Sequence, residues 1–224
     1  LIPYQLSNKG PGVAIGDLNK DGKKDIFFGG SKFKRSHIYI QRDTSYVSKE
    51  FNNILKDSIN EEVLFFFYDF TNDGKNELFV GTAGNDFQPP SKPLLDRYYR
   101  LKDTVFIAEN LPKLYNNNST LKPYDFDEDG DLDIFVGNYT ITNDFGNIPD
   151  SYILVNEKGK FSVLDPNPFE KLGMVTDAVW EDFDSDGLKD LIVIGEWMSP
   201  KFFKNNSKNF EEVDLLGDLN GLWQ

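Results

Sequence analysis

Four short acidic loops hold the residues best suited to chemistry in this chain: GDLNKDGKKD (16–25), YDFTNDGKNE (68–77), YDFDEDGDLD (124–133) and EDFDSDGLKD (181–190). Each contains the pattern D-x-[D/N/T]-x-D-G-x-x-[D/E]. Hard cations such as Ca²⁺ take six to eight oxygen ligands at about 2.3–2.6 Å. Side-chain oxygens at positions 1, 3 and 5 of a tight turn can converge on one point, and a glycine at position 6 supplies the bend. The acid at position 9 then closes the set. The predicted side-chain ligands are Asp17, Asn19, Asp21 and Asp25; Asp69, Thr71, Asp73 and Glu77; Asp125, Asp127, Asp129 and Asp133; and Asp182, Asp184, Asp186 and Asp190. The carbonyls of Lys23, Lys75, Asp131 and Leu188, at position 7, are the predicted backbone ligands. Carboxylates gathered this closely raise one another's pKa or splay apart unless a cation lies between them. The third and fourth loops carry four carboxylates each, whereas the second has Thr71 and the longer Glu77, which predicts the weakest binding there.

An EF-hand shares the first six positions but requires a bidentate Glu at position 12 and flanking helices. Position 12 here is Phe28, Val80, Val136 and Val193, all apolar. The loops therefore read as connections within β-hairpins, with the last acid opening the following strand. An ordinary Asp/Gly turn explains one such loop. It does not explain four in the same register.

The elements that must hold these loops repeat with them. The leading acids recur at intervals of about 55 residues, the scale of a supersecondary repeat. Each loop follows an apolar segment (GVAI, VLFFFY, the weaker match KPY, AVW) and precedes another that contains a glycine: Gly29, Gly81, Gly137 and Gly195. The fourth of these segments has one extra residue, which a β-bulge would absorb. Two further segments recur in each unit. One is HIYIQ, DRYYRL, SYILVN or KFFKNN; the other surrounds Phe51, Phe106, Phe161 or Phe210. Four short strands per unit, joined by Asn-, Gly- and Asp-rich turns, are the pattern of a propeller blade. The expected fold is all-β: a β-propeller of four-stranded blades, with repeats at approximately 10–57, 58–112, 113–170 and 171–216. Residues 217–224 would open a fifth. The long polar stretches 82–97 and 138–150 are placed where recognition loops sit on a rigid scaffold.

Composition narrows the partners. The net charge of −13 and pI near 4.5 argue against nucleic acid, which needs clustered Lys and Arg. The chain contains no Cys, so thiolate metal sites and disulfides are excluded. No apolar run reaches the ~18 residues of a membrane-spanning helix. The chain begins with Leu1 rather than Met, so either a processed form or an expressed segment is expected, and both leave room for a signal upstream.

The repeated D-x-[D/N/T]-x-D-G loop with its apolar strand and glycine resembles the FG-GAP/VCBS repeats of integrin α-subunit propellers and bacterial surface proteins. GPGVAIGDLNKDGKKDIFFGG and GMVTDAVWEDFDSDGLKDLIVIGEWM are especially similar to the bacterial VCBS-repeat form. The resemblance covers essentially the whole chain. It implies a propeller, normally of seven blades; the four visible here are either a piece of a longer propeller or a four-blade assembly closed by the termini, with up to four Ca²⁺ ions, one per repeat. It also implies a secreted, periplasmic or cell-surface setting. The ligand is expected to be a protein or a glycan, and the calcium mainly structural.

Enzymatic residues are scarce. The lone His37 reads as a strand residue, and no nucleophile–base set can be assembled. The alternative is a carbohydrate-active or glycan-binding propeller that uses loop carboxylates with Trp197. Glu61, Glu62 and Glu196 are its candidate acids, although a solvated acidic turn and a core Trp explain these residues more simply. A non-enzymatic binding module is the expectation.

Overall fold

The computed structural model describes residues 11–31, 33–51, 54, 59–84, 86–102, 105–115 and 117–217. Its strands form four sheets of four, each a meander in chain order. The first contains β1 (Val13–Gly16), β2 (Asp25–Phe28), β3 (His37–Arg42) and β4 (Ser45–Lys49). The second contains β5 (Glu61–Tyr68), β6 (Glu77–Ala83), β7 (Arg97–Lys102) and β8 (Val105–Glu109). The third contains β9 (Asn118–Tyr124), β10 (Asp133–Asn138), β11 (Tyr152–Glu157) and β12 (Lys160–Val163). The fourth contains β13 (Met174–Glu181), β14 (Asp190–Glu196), β15 (Lys201–Asn205) and β16 (Phe210–Val213). A 3₁₀ turn, Lys92–Leu94, precedes β7. The suggested start of a further blade at 217–224 lies, but for Gly217, outside the described residues.

Contacts divide the chain into two compact units, Leu1–Asn117 with Lys158–Lys160, and Asn118–Glu157 with Phe161–Gln224. The first two sheets belong to one unit. The other two belong to the second, apart from Lys160 at the start of β12. Each unit has its own core. In the first, Phe27, Ile38, Leu78, Val80, Tyr99 and Phe106 are buried together, and the ring of Phe27 lies 4.8 Å from that of Phe65. In the second, Phe169 is the hub: its ring lies 5.4, 4.9 and 5.2 Å from those of Phe135, Phe203 and Phe210.

Two of the glycines after the loops serve this packing. A Cβ on Gly29 would lie 2.1 Å from the Phe65 ring, and one on Gly137 would lie 2.7 Å from Val175 Cγ1. Both glycines let a sheet approach its neighbour within the same unit.

Three local expectations change. KPY is the end of a full strand, β9. Pro123 pairs with Ile134 there because β9 is an edge strand and needs no second row of N–H donors. The extra residue in β14 does not bulge, since Leu191 to Gly195 stay paired with β13. The bulge lies in β13, between Val175 and Asp177, and matching ones lie in β5 between Glu62 and Leu64 and in β9 between Asn118 and Thr120, opposite Gly137/Asn138. Bulges thus belong to the pairing of the first two strands in these three sheets. Phe51 follows β4 rather than lying in it, and its ring packs on Phe106 at 4.7 Å.

Candidate metal centre

All four acidic loops connect the first and second strands of a sheet, and all four fold alike. The position-1 carboxylate accepts backbone N–H groups across the turn. Asp17 takes Asp21 and Gly22 at 3.2 and 2.8 Å, and Asp125 takes Asp129 and Gly130 at 3.1 and 3.0 Å. Asp182 takes Asp186 and Gly187 at 3.2 and 3.0 Å, and Asp69 takes Asp73 at 3.0 Å. Asp21, Asp73, Asp129 and Asp186, at position 5, each accept the N–H of the position-7 residue: Lys23, Lys75, Asp131 and Leu188. The position-6 glycines have φ of 81°, 77°, 90° and 98°, which L side chains rarely adopt. Lys20, Asn72, Glu128 and Ser185, at position 4, are also left-handed.

The closing acids do more than complete a ligand set. Asp25, Glu77, Asp133 and Asp190 are 0, 0, 1 and 0 % exposed. One oxygen of each accepts the N–H of the apolar residue at position 2: Leu18, Phe70, Phe126 or Phe183. Leu18, Phe70 and Phe126 are themselves buried in the core. In three loops the other oxygen accepts an N–H from the third strand or its end: Gln41 at 2.9 Å, Asn156 at 2.8 Å and Asn205 at 2.8 Å. Each closing acid thereby ties loop and sheet together. The side chain of Asn205 also donates to the carbonyl of Phe126, linking the third and fourth loops, as Asn76 donates to the carbonyl of Asp17 in the first unit.

Burial has an electrostatic cost. It raises the pKa of Asp133 to about 7, against the opposing hydrogen bonds from Asn156 and Phe126, while Asp127 and Asp129 push it further up. Burial likewise raises Glu77 and Asp190 above the ordinary carboxylate range, and Asp127 in the third loop. Asp186 moves the other way. The N–H of Leu188 stabilises its charged form, and the Lys204 ammonium adds to this.

Three loops bring carboxylate oxygens within 4.8 Å of one another: Asp69, Asp73 and Glu77; Asp125, Asp127 and Asp133; Asp182, Asp184 and Asp190. Two oxygens bound to opposite sides of one ion at about 2.4 Å are about that far apart. The donors are all oxygen and anionic, so these residues suit a hard divalent cation. Asp17, Asp21 and Asp25 do not close to this spacing, although Asn19 accompanies them. Asp129 and Asp186 lie outside the triads of their loops. The first loop, rather than the second, is therefore the least gathered.

The remaining candidates fare differently. His37 is exposed at the start of β3. Glu61 and Glu62 do not form a solvated turn; they are 7 and 2 % exposed. Glu62 accepts from the Gly30 N–H at 2.9 Å, from the Ser36 hydroxyl and from Arg97 at 3.2 Å, and so serves as a buried structural anion. Tyr98 and Tyr99 are core residues. Trp197 is not: it is 51 % exposed, has φ of 56° and meets Phe145 edge-to-face at 5.6 Å. Beside it Glu196 accepts the Tyr139 hydroxyl at 2.6 Å.

The family model of the FG-GAP-like repeat matches residues 69–136 and 125–193, more than half of the chain. The chain belongs to the FG-GAP-like repeat family. Each matched span of the repeat begins at the leading acid of one loop, Asp69 or Asp125, and ends in the strand after the next loop, at Val136 or Val193. The second, third and fourth acidic loops lie within the matched spans. No curated protein matches the chain. Among solved structures, a lectin of Agrocybe aegerita, described by its specific recognition of non-reducing terminal N-acetylglucosamine, aligns with a TM-score of 0.59 at 18 % identity. The alignment covers 92 % of this chain and 52 % of the lectin chain, so the FG-GAP-like chain spans about half the length of that structure. At this identity the likeness is one of fold.

Proposed function

We propose that this chain is a calcium-stabilised β-propeller module, non-enzymatic, that serves recognition or assembly in a secreted, periplasmic or cell-surface protein. The observation that carries the reading is the convergence of carboxylates in three loops of identical fold, each tied to a buried closing acid. In this reading the four sheets are blades of one propeller over 1–224, part of a ring of seven. The meander order of every sheet and the fold likeness to a longer lectin chain support it. The ion's contribution is charge neutralisation: it holds together carboxylates that otherwise repel. The protein's own residues do the rest. Backbone N–H groups preset each turn, and the closing acid carries the order of the loop into the second strand. Calcium titration by calorimetry tests this. Binding lost stepwise in Asp69→Ala, Asp125→Ala and Asp182→Ala supports the assignment, and binding undiminished with all three substitutions together refutes it.

A second observation favours a glycan over a protein as the ligand. Trp197 presents an exposed face in a strained backbone conformation, flanked by Phe145 and by the Glu196–Tyr139 pair. An aromatic face beside a carboxylate and a hydroxyl suits a sugar ring. The N-acetylglucosamine recognition by the Agrocybe lectin makes terminal amino sugars the first probes. A glycan array with wild type and Trp197→Ala, each in Ca²⁺ and in EDTA, decides it. Signals unchanged by the substitution exclude this surface.

A further inference from the structure

The third and fourth loops have the same four carboxylates at the predicted ligand positions, yet the third strand sets a different residue beside each. In each sheet the third strand places one side chain opposite the closing acid. The pairs Ile26–Tyr39, Leu78–Tyr99, Ile134–Leu154 and Leu191–Phe203 fix the register. One step along lie Ile40, Arg100, Val155 and Lys204. The first and third loops thus face an aliphatic residue, and the second and fourth face a cation.

The two cations are used differently. Arg100 is divided, its Nε 3.9 Å from both Glu77 and Glu109. Lys204 is committed to its loop: its ammonium is paired with Asp184 and lies 3.0 Å from Asp186 Oδ2. Asp184 belongs to the convergent triad and Asp186 is the position-5 acid of the same loop. An ammonium on a four-carbon stem is compact and can swing out to water.

Building on the reading of these loops as cation sites, we propose that Lys204 is a tethered cation of the fourth loop. It neutralises Asp184 and Asp186 when no metal is bound and must leave before a divalent ion can take Asp184. The fourth loop therefore binds the ion less tightly than the third, despite an equal set of acids, and keeps its shape better without it. The third loop faces Val155 at the corresponding position, and an aliphatic side chain cannot substitute for the ion. The two sheets of this unit then respond to different ranges of calcium concentration.

The test is calcium calorimetry on the full chain carrying Asp125→Ala, which silences the third loop, with and without Lys204→Met. Met keeps the length and apolar stem of the side chain, and Lys204→Gln serves as a second variant with a neutral polar end. The expected result is tighter binding by at least about threefold on removing the ammonium, the scale of a partly exposed ion-pair network. In the absence of metal, the same substitution lowers the melting temperature. In an Asp182→Ala background, calcium affinity is unchanged by it. Equal affinity for the chains with Lys, Gln and Met at position 204, in a protein that does bind calcium, overturns this inference alone. A wild-type chain that binds no calcium at any loop overturns the cation reading and this inference with it.

Discussion

Replacing Asp133 by Asn should have opposite effects with and without calcium. Asp133 is 1 % exposed, and burial raises its pKa to about 7. In the unfolded chain an Asp titrates near 3.9. The folded pKa lies above the unfolded one, so ionisation favours unfolding. Metal-free stability falls as pH rises from about 4 to about 7, and the full penalty applies above that range. Three pKa units correspond to about 4 kcal/mol. The Asp133→Asn variant would avoid that penalty, but its amide oxygen could accept only one of the two N–H groups, Phe126 and Asn156, that Asp133 accepts now. Leaving the other unsatisfied costs about 1–3 kcal/mol. In EDTA at pH 8 the variant should therefore be more stable than wild type by about 1–3 kcal/mol, and at pH 4 less stable by a similar amount. With saturating calcium it should be less stable at neutral pH, because a ligand is gone. Urea denaturation at pH 4 and 8, in EDTA and in calcium, measures all of this. Equal destabilisation at pH 4 and pH 8 in EDTA would refute the assignment of Asp133 as a buried charge that waits for a cation.

Other outcomes are equally specific. Asp17→Ala should reduce calcium binding least among the four leading acids, since the first loop's carboxylates are the least gathered, and calorimetry on the four single variants gives the order. Arg97→Met should destabilise the first unit by about 3–5 kcal/mol in urea, because it strands the buried carboxylate of Glu62. Trp197→Ala should change stability by under about 1 kcal/mol, since the ring is half exposed, yet remove any glycan binding on an array.

The acidic loops were legible because their pattern is local. Asp at positions 1 and 5 and Gly at position 6 dictate one turn, and the apolar segments on either side dictate the hairpin. What escaped depends on partners distant in sequence. Asp25, Asp133 and Asp190 read as loop ligands, but their burial comes with bonds to Gln41, Asn156 and Asn205 on another strand. The apolar position 2, shared by Leu18, Phe70, Phe126 and Phe183, was visible in the sequence, and in the first three loops it plugs the loop into the core. Glu61 and Glu62 resemble a solvated pair until Arg97 and Ser36 are brought to Glu62. Trp197 resembles a core residue, as most tryptophans are, until its left-handed backbone turns it outward. Lys204 could be placed opposite Asp190 only once the register of β14 and β15 was known.

The most direct measurement is calorimetric unfolding of the whole chain in EDTA and in rising calcium. A cation bound only by the folded loops contributes about 2.7 kcal/mol per site at one hundred times its dissociation constant. For a chain of this size that is a rise of about 5 °C or more for each occupied loop. The midpoint should climb with calcium over the micromolar-to-millimolar range, and magnesium at the same ionic strength should do less. A midpoint that does not move with calcium would contradict the central claim that these loops are cation clips.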